Sequence, residues 1–192
     1  MTELNLYRLF KALVEQDPVL QGRFFVAEGY GNDLNANNFD NVIKDAVGAM
    51  TTAQKYPVAI LFPPVEVIAK GYDWNWSQFR LKMYFLTTSY YDVNGIKAQD
   101  LNTNTSDYPI LKDWADMRKV AGQFRVNFND YTRKNGLNVV HERQNIPDFY
   151  ERISKRGNDR VSGVALQWEI ALNIGCPEPN YNASQINDKW QD

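Results

Sequence analysis

The chain predicts a single α+β domain in which an antiparallel or mixed sheet is packed by helices on one face. Three observations carry that prediction. The segment from Trp74 to Leu86 alternates, with Phe79, Leu81, Met83 and Phe85 on one side at period two. A second alternating segment, Val164 to Leu172, puts large apolar residues at its even positions while Gln167 and Glu169 point the other way. Between them, Leu111, Trp114, Met117, Ala121, Phe124, Phe128 and Tyr131 step by three or four, the stripe of one long amphipathic helix. Helices interleaved with antiparallel hairpins pack as a sheet with a helical layer.

The individual elements follow in order. Leu6, Leu9, Phe10, Leu13 and Val14 recur at helical spacing until Asp17-Pro18, where the residue before proline is pushed out of the helical region. Phe24 to Ala27 is a short apolar strand that Gly29-Tyr30-Gly31 ends, and the Asn- and Asp-rich stretch from Asn32 to Asn41 favours turns. Phe39, Val42, Ile43, Ala46 and Val47 return to helical spacing over Phe39 to Met50, although Gly48 weakens that helix. Val58 to Phe62, bracketed by Pro57 and Pro63-Pro64, is too short for a core helix and predicts a buried strand. Its natural partner is the long strand through Trp76 to Tyr91. Residues 92–107 have turn composition and form a loop long enough to be functional or to order only on binding.

Ser106 or Asp107 can cap the long helix, Pro109 suits its first turn, and Asn135-Gly136 closes it. At about 1.5 Å per residue, a helix from Pro109 to Lys134 is roughly 40 Å long, enough to cross a sheet. The last unit is a hairpin from Phe149 to Ser154, turning at Arg156-Gly157-Asn158-Asp159 and returning from Val161 to Ile174. The domain therefore spans residues 1–176. A polar tail, 177–192, follows with a lone Trp190, and it frays unless it docks.

Composition narrows the function. A chain of 192 residues with 44% hydrophobic and 23% charged residues supports a proper core. Its five Trp, eleven Tyr and ten Phe exceed what a small core readily hides, and aromatic surplus is a property of interfaces. With 21 basic and 23 acidic residues the net charge is -2, which argues against tight nucleic-acid binding over a wide face. A single cysteine, Cys176, forms no disulfide framework. The N-terminus lacks a basic region followed by an apolar core, and no stretch reaches the ~20 apolar residues of a membrane span. A soluble protein made in a cytoplasm, with no membrane partner, is expected.

The residues of chemistry are sparse. His141 is the only histidine, so with Cys176 it cannot build an ordinary zinc site, and no phosphate loop, dinucleotide fingerprint or nucleophile elbow is present. Asp40 with Asp45, or Asp113 with Asp116, could be proposed as hydrolytic pairs, but such spacings on helices read as solvated faces. No catalytic residue, cofactor or metal is predicted, and the chain is not read as an enzyme. Tyr72, Trp74 and Trp76 form an aromatic ladder at a strand start. Such a ladder stacks sugars, packs beneath the Phe39 helix or plugs a neighbouring subunit. Arg152, Lys155, Arg156 and Arg160, among Asp148, Glu151 and Asp159, form a mixed-charge hairpin tip suited to ionic contact. Tyr72, Trp74, Trp76, Arg156 and Arg160 are the candidate interface.

The order of a leading helix, the apolar run Tyr56 to Phe62, a long central helix and a closing hairpin with outer strand Val161 to Ile170 resembles the tail-terminator and tail-completion proteins of tailed bacteriophages. Its Asn-rich, aromatic-rich style is also similar to the neck ring proteins of crAss-like phages. The resemblance is architectural, covers most of residues 1–175 and rests on no signature motif. It implies a small subunit of a homo-oligomeric ring, hexamer or dodecamer, at the head–tail junction of a virion, with DNA passing through the lumen as cargo. Its partners would be other neck, portal or tail proteins, met through residues 92–107 and the tail. The alternative reading is a carbohydrate- or ligand-binding module using Trp74 and Trp76.

Overall fold

A computed structural model describes residues 3–29, 37–48, 55–67, 76–88, 108–134, 139–140, 149–156 and 161–173. Three helices, α1 (Glu3–Gln16), α2 (Phe39–Gly48) and α3 (Tyr108–Lys134), accompany six strands. The strands are β1 (Phe24–Val26), β2 (Val58–Val67), β3 (Trp76–Thr87), β4 (Val139–Val140), β5 (Phe149–Arg156) and β6 (Val161–Asn173). They form one mixed sheet in the order β1-β2-β3-β6, with β5 and β4 both paired to the far side of β6. The chain is α+β, as the alternating segments predict.

β3 and β6 are the sheet's centre, antiparallel from Trp76↔Asn173 to Thr87↔Ser162. The strand after Pro57 pairs with β3 as expected, antiparallel from Val58↔Leu86 to Val67↔Gln78. That strand also continues through Pro63-Pro64, with a register shift between Phe62 and Val65. Proline cannot donate to a ladder, so it is confined to edges and bulges. β1 runs parallel to β2 only as far as Val26↔Leu61, and beyond that point β2 has no neighbour on this side among the described residues, so two prolines can occupy it.

The pleat divides the core into two layers. Leu61, Leu81, Met83, Phe85, Val164, Leu166, Trp168 and Ile170 face α1 and α3. Val58, Ile60, Phe62, Tyr84, Leu86 and Ala165 face the opposite way, and there they meet Phe39, Val42, Ile43, Ala46 and Val47 of α2. The expectation of helices on one face is thus corrected: α1 and α3 share a face, and α2 packs on the other. The cause is topological. β1 and β2 are parallel neighbours, so their connection must cross the sheet over a face, carrying α2 with it.

α1 ends where the proline predicts, and its closing turn is built by Asp17. The buried Oδ1 of Asp17 accepts the N–H groups of Val19 at 2.8 Å and Leu20 at 2.9 Å, and Gly22 follows at φ +80°. Arg23 then ties this turn to β2, donating from Nε to the Pro57 carbonyl at 2.6 Å and from a terminal nitrogen to the Val19 carbonyl at 2.6 Å. Partial burial lowers the pKa of its guanidinium. Asp17→Ala is expected to lose about 1–2 kcal/mol, because two N–H groups lose their acceptor. Asp17→Asn keeps the oxygen and should retain most of the stability in urea denaturation.

The stripe of α3 needs one revision. Ile110, Met117, Val120, Ala121, Phe124 and Phe128 are buried, but Leu111 and Tyr131 are exposed and Trp114 is half-buried. Its flank near Leu111 lies against β5, where Leu111 and Trp114 share a cleft wall with Tyr150 and Arg152.

Candidate functional site

That flank and β5 enclose a cleft of about 850 Å³. β5 is antiparallel to β6, with Tyr150↔Leu166 and Arg152↔Val164, so Tyr150 and Arg152 stand on the α3 face of the sheet. Ile153, between them and the turn, points to the α2 face and is buried there. From the helix come Trp114 and Arg118, one turn apart, with Lys119 at the rim.

A crossed pair of arginine–ring contacts spans the cleft. The Arg152 guanidinium of the strand lies 4.9 Å from the centroid of the helix's Trp114 ring. The Arg118 guanidinium of the helix lies 5.3 Å from the centroid of the strand's Tyr150 ring. Trp114 also donates from Nε1 to the Ile153 carbonyl at 2.8 Å, which locks its indole across the helix–strand gap. At the next turn, a Cβ on Gly122 would sit 3.8 Å from the Tyr150 hydroxyl oxygen, an ordinary contact, so this position on the cleft wall accepts a side chain. Among the described residues the lining offers two arginines, a lysine and two aromatic rings.

The predicted site residues fare unevenly. Trp76 opens β3, where its backbone pairs with Asn173, and Arg156 ends β5 opposite Val161. Tyr72, Trp74, Arg160, His141, Cys176, the loop 92–107 and the tail 177–192 lie outside the described residues. Of the hydrolytic pairs considered, Asp40 and Asp45 are exposed on α2 as a solvated face. The other pair divides, with Asp116 exposed and Asp113 only 5% exposed, so these two carboxylates do not share a face. Among the described residues no cluster of His, Cys, Asp and Glu could hold a metal ion. Nor is any described helix long and apolar enough to cross a membrane.

Sequence reasoning reached Arg152 through the basic run of the hairpin, and assigned Trp114 to the core stripe. It missed Tyr150, Arg118 and Lys119 as parts of one site. A signal was present: Trp114-x-x-x-Arg118 on a helix and Tyr150-x-Arg152 on a strand each place an aromatic and a cation on one side. Only the helix–strand docking makes the two pairs cross. The opposite face of the sheet is a different surface, where Arg80 bonds Glu169 at 2.6 Å and Lys82 lies 3.4 Å from Glu151. Each pair joins one exposed partner to one largely buried one.

Trp76→Ala separates two uses of the ladder. If the ring serves packing or assembly, the change should remove roughly 3–5 kcal/mol of stability or about 2 kcal/mol or more of association energy. If it stacks sugars, melting and assembly should persist while binding on a glycan array disappears. We expect the first result.

No protein-family model matches the chain, and no curated protein matches it in sequence.

Proposed function

We propose that this protein is a structural subunit that works by assembly, in the form its sequence resemblance implies: a ring component of the neck or tail terminator of a tailed phage, through which DNA passes. The observation that carries the assembly reading is the α3–β5 cleft. It collects Trp114, Tyr150, Arg118 and Arg152, residue types that concentrate energy at protein interfaces. It also lies at the sheet margin, because β5 has no further strand beside it among the described residues. Exposed Leu111 extends the surface along the helix. The virion placement rests on the architectural resemblance alone.

Light scattering at high protein concentration, with and without candidate portal and tail proteins, tests the proposal. A species larger than the 22.2 kDa chain is expected, and the ring form requires six or twelve copies, visible by electron microscopy as a closed annulus. A strict monomer that ignores every virion component sinks the assembly reading. Assembly into an open fibre or a two-fold dimer would keep assembly and sink the ring.

The carbohydrate reading has less to stand on at this cleft. A sugar-binding platform presents free ring faces, and here one face of Trp114 and one of Tyr150 carry a guanidinium.

A further inference from the structure

Arg118, Lys119 and Arg152 bring three positive charges to one cleft, and none has a carboxylate partner among the described residues. One described acid is near in sequence but faces elsewhere. Glu151, next to Arg152 in β5, points to the other face of the sheet and pairs with Lys82. We infer that the cleft binds an extended acidic and apolar segment of a partner polypeptide, with Arg118 and Arg152 receiving its carboxylates. This rests on the assembly reading and names the chemistry of the partner.

The geometry selects a carboxylate-bearing chain in three steps. A guanidinium seated over a ring face keeps N–H groups pointing away from the ring, and these can grip an oxyanion. The ring contacts bias both exposed arginines toward the cleft, which reduces the side-chain freedom lost on binding. The same stacks cover ring faces on which a nucleotide base would otherwise lie.

The apolar half of the cleft decides between a peptide and a polyanion. Leu111, 52% exposed, stands beside the cations, and Ala115 and Val164 continue the apolar wall. A nucleic-acid backbone has nothing to place there, whereas a peptide with apolar residues between its acids does. Duplex binding at physiological salt also engages roughly six to ten phosphates, more than three cations can meet on a chain of net charge -2. An extended segment fits because β5 is the outermost described strand on this side of β6. The β5 of a second copy is a poor occupant: Arg152, Lys155 and Arg156 against Glu151 leave each strand positive, and two such strands repel.

The test measures binding of a fluorescein-labelled heptapeptide that alternates glutamate and leucine to the full chain, by fluorescence anisotropy. A twin with glutamine for glutamate and a 20-nucleotide DNA, single-stranded and duplex, serve as comparisons. The glutamate peptide should bind at least about tenfold more tightly than its glutamine twin, as expected for loss of charge-assisted hydrogen bonds. Arg118→Gln and Arg152→Gln should each weaken it about tenfold, with the fold retained by circular dichroism. Gly122→Met, which fills the cleft from a helix position that accepts a side chain, should also weaken it while leaving both arginines in place. Equal binding of the two peptides, no binding of either, indifference to the arginine changes, or displacement by DNA at equal concentration would each overturn the inference. Light scattering on the same samples keeps the two readings apart. Assembly without peptide binding defeats only the partner chemistry, and peptide binding by a strict monomer defeats only the assembly reading.

Discussion

Gly163→Ala should be among the most damaging single substitutions in this protein, lowering stability by about 3 kcal/mol or more, or yielding insoluble chain. Gly163 sits in β6 between Leu86 of β3 and Ile153 of β5. A Cβ at this position would run into the Phe85 carbonyl oxygen and would also stand 3.0 Å from both the Phe85 carbonyl carbon and the Leu86 Cα. These are backbone atoms of the central strand, which cannot swing aside as a side-chain tip can. Its φ of +157° lies just outside the range that other residues adopt freely, but the clash is the larger effect. β6 would have to move from β3 along the pairing that centres the sheet. Gly122→Ala is the matched control, because its Cβ meets only the Tyr150 hydroxyl at 3.8 Å. Replacing that mid-helix glycine should gain up to about 1 kcal/mol. Urea denaturation of both variants should show midpoints moving in opposite directions, and a Gly163→Ala midpoint equal to wild type would refute the close approach.

Phe124→Ala is expected to remove about 4 kcal/mol, within the ~3–5 kcal/mol that buried phenylalanine truncations cost. Phe124 is 2% exposed and joins three elements to α3. Its ring centroid lies 5.5 Å from that of Phe10 on α1, 5.6 Å from Phe85 on β3 and 6.3 Å from Trp168 on β6. Phe10 in turn meets Phe128 at 5.4 Å and Trp168 at 5.9 Å, so the rings form one cluster between helices and sheet. Losing Phe124 leaves a cavity walled by rings that cannot collapse far, and a domain stable by about 5–15 kcal/mol loses a large share. Phe124→Leu should cost less. A double-mutant cycle with Phe10→Ala should give a coupling of about 0.5–1.5 kcal/mol, the worth of an edge-to-face pair beyond its buried area. Additive losses would mean that the two rings act independently.

Much of the fold was written in periodicities. The alternation of Phe79 to Phe85 and of Val164 to Ile170 identified one face of the two central strands, since period two assigns sides without knowledge of neighbours. Asp17-Pro18 marked the end of α1, and the Pro57 strand was correctly matched to β3. β4 escaped notice because two residues carry no period, and its pairing to Leu172 and Ala171 is a long-range matter. The site was less legible. Arg152 was visible as charge, but Trp114 read as one more member of an apolar stripe, and Tyr150 and Arg118 gave no sign of each other.

What the sequence determined by itself is therefore local: which segments are helix or strand, and which side of each is apolar, because dihedral preference and side-chain period act over a few residues. Tertiary structure alone decided what lies beyond that range. It put α2 on the opposite face through the parallel pairing of β1 with β2. It made Gly163 a place where two backbones touch. It also brought the α3 flank over β5, so that two arginines and two aromatic rings 32 to 38 positions apart stack crosswise. Distances between residues remote in sequence are set by how layers pack, and no short stretch of chain encodes that.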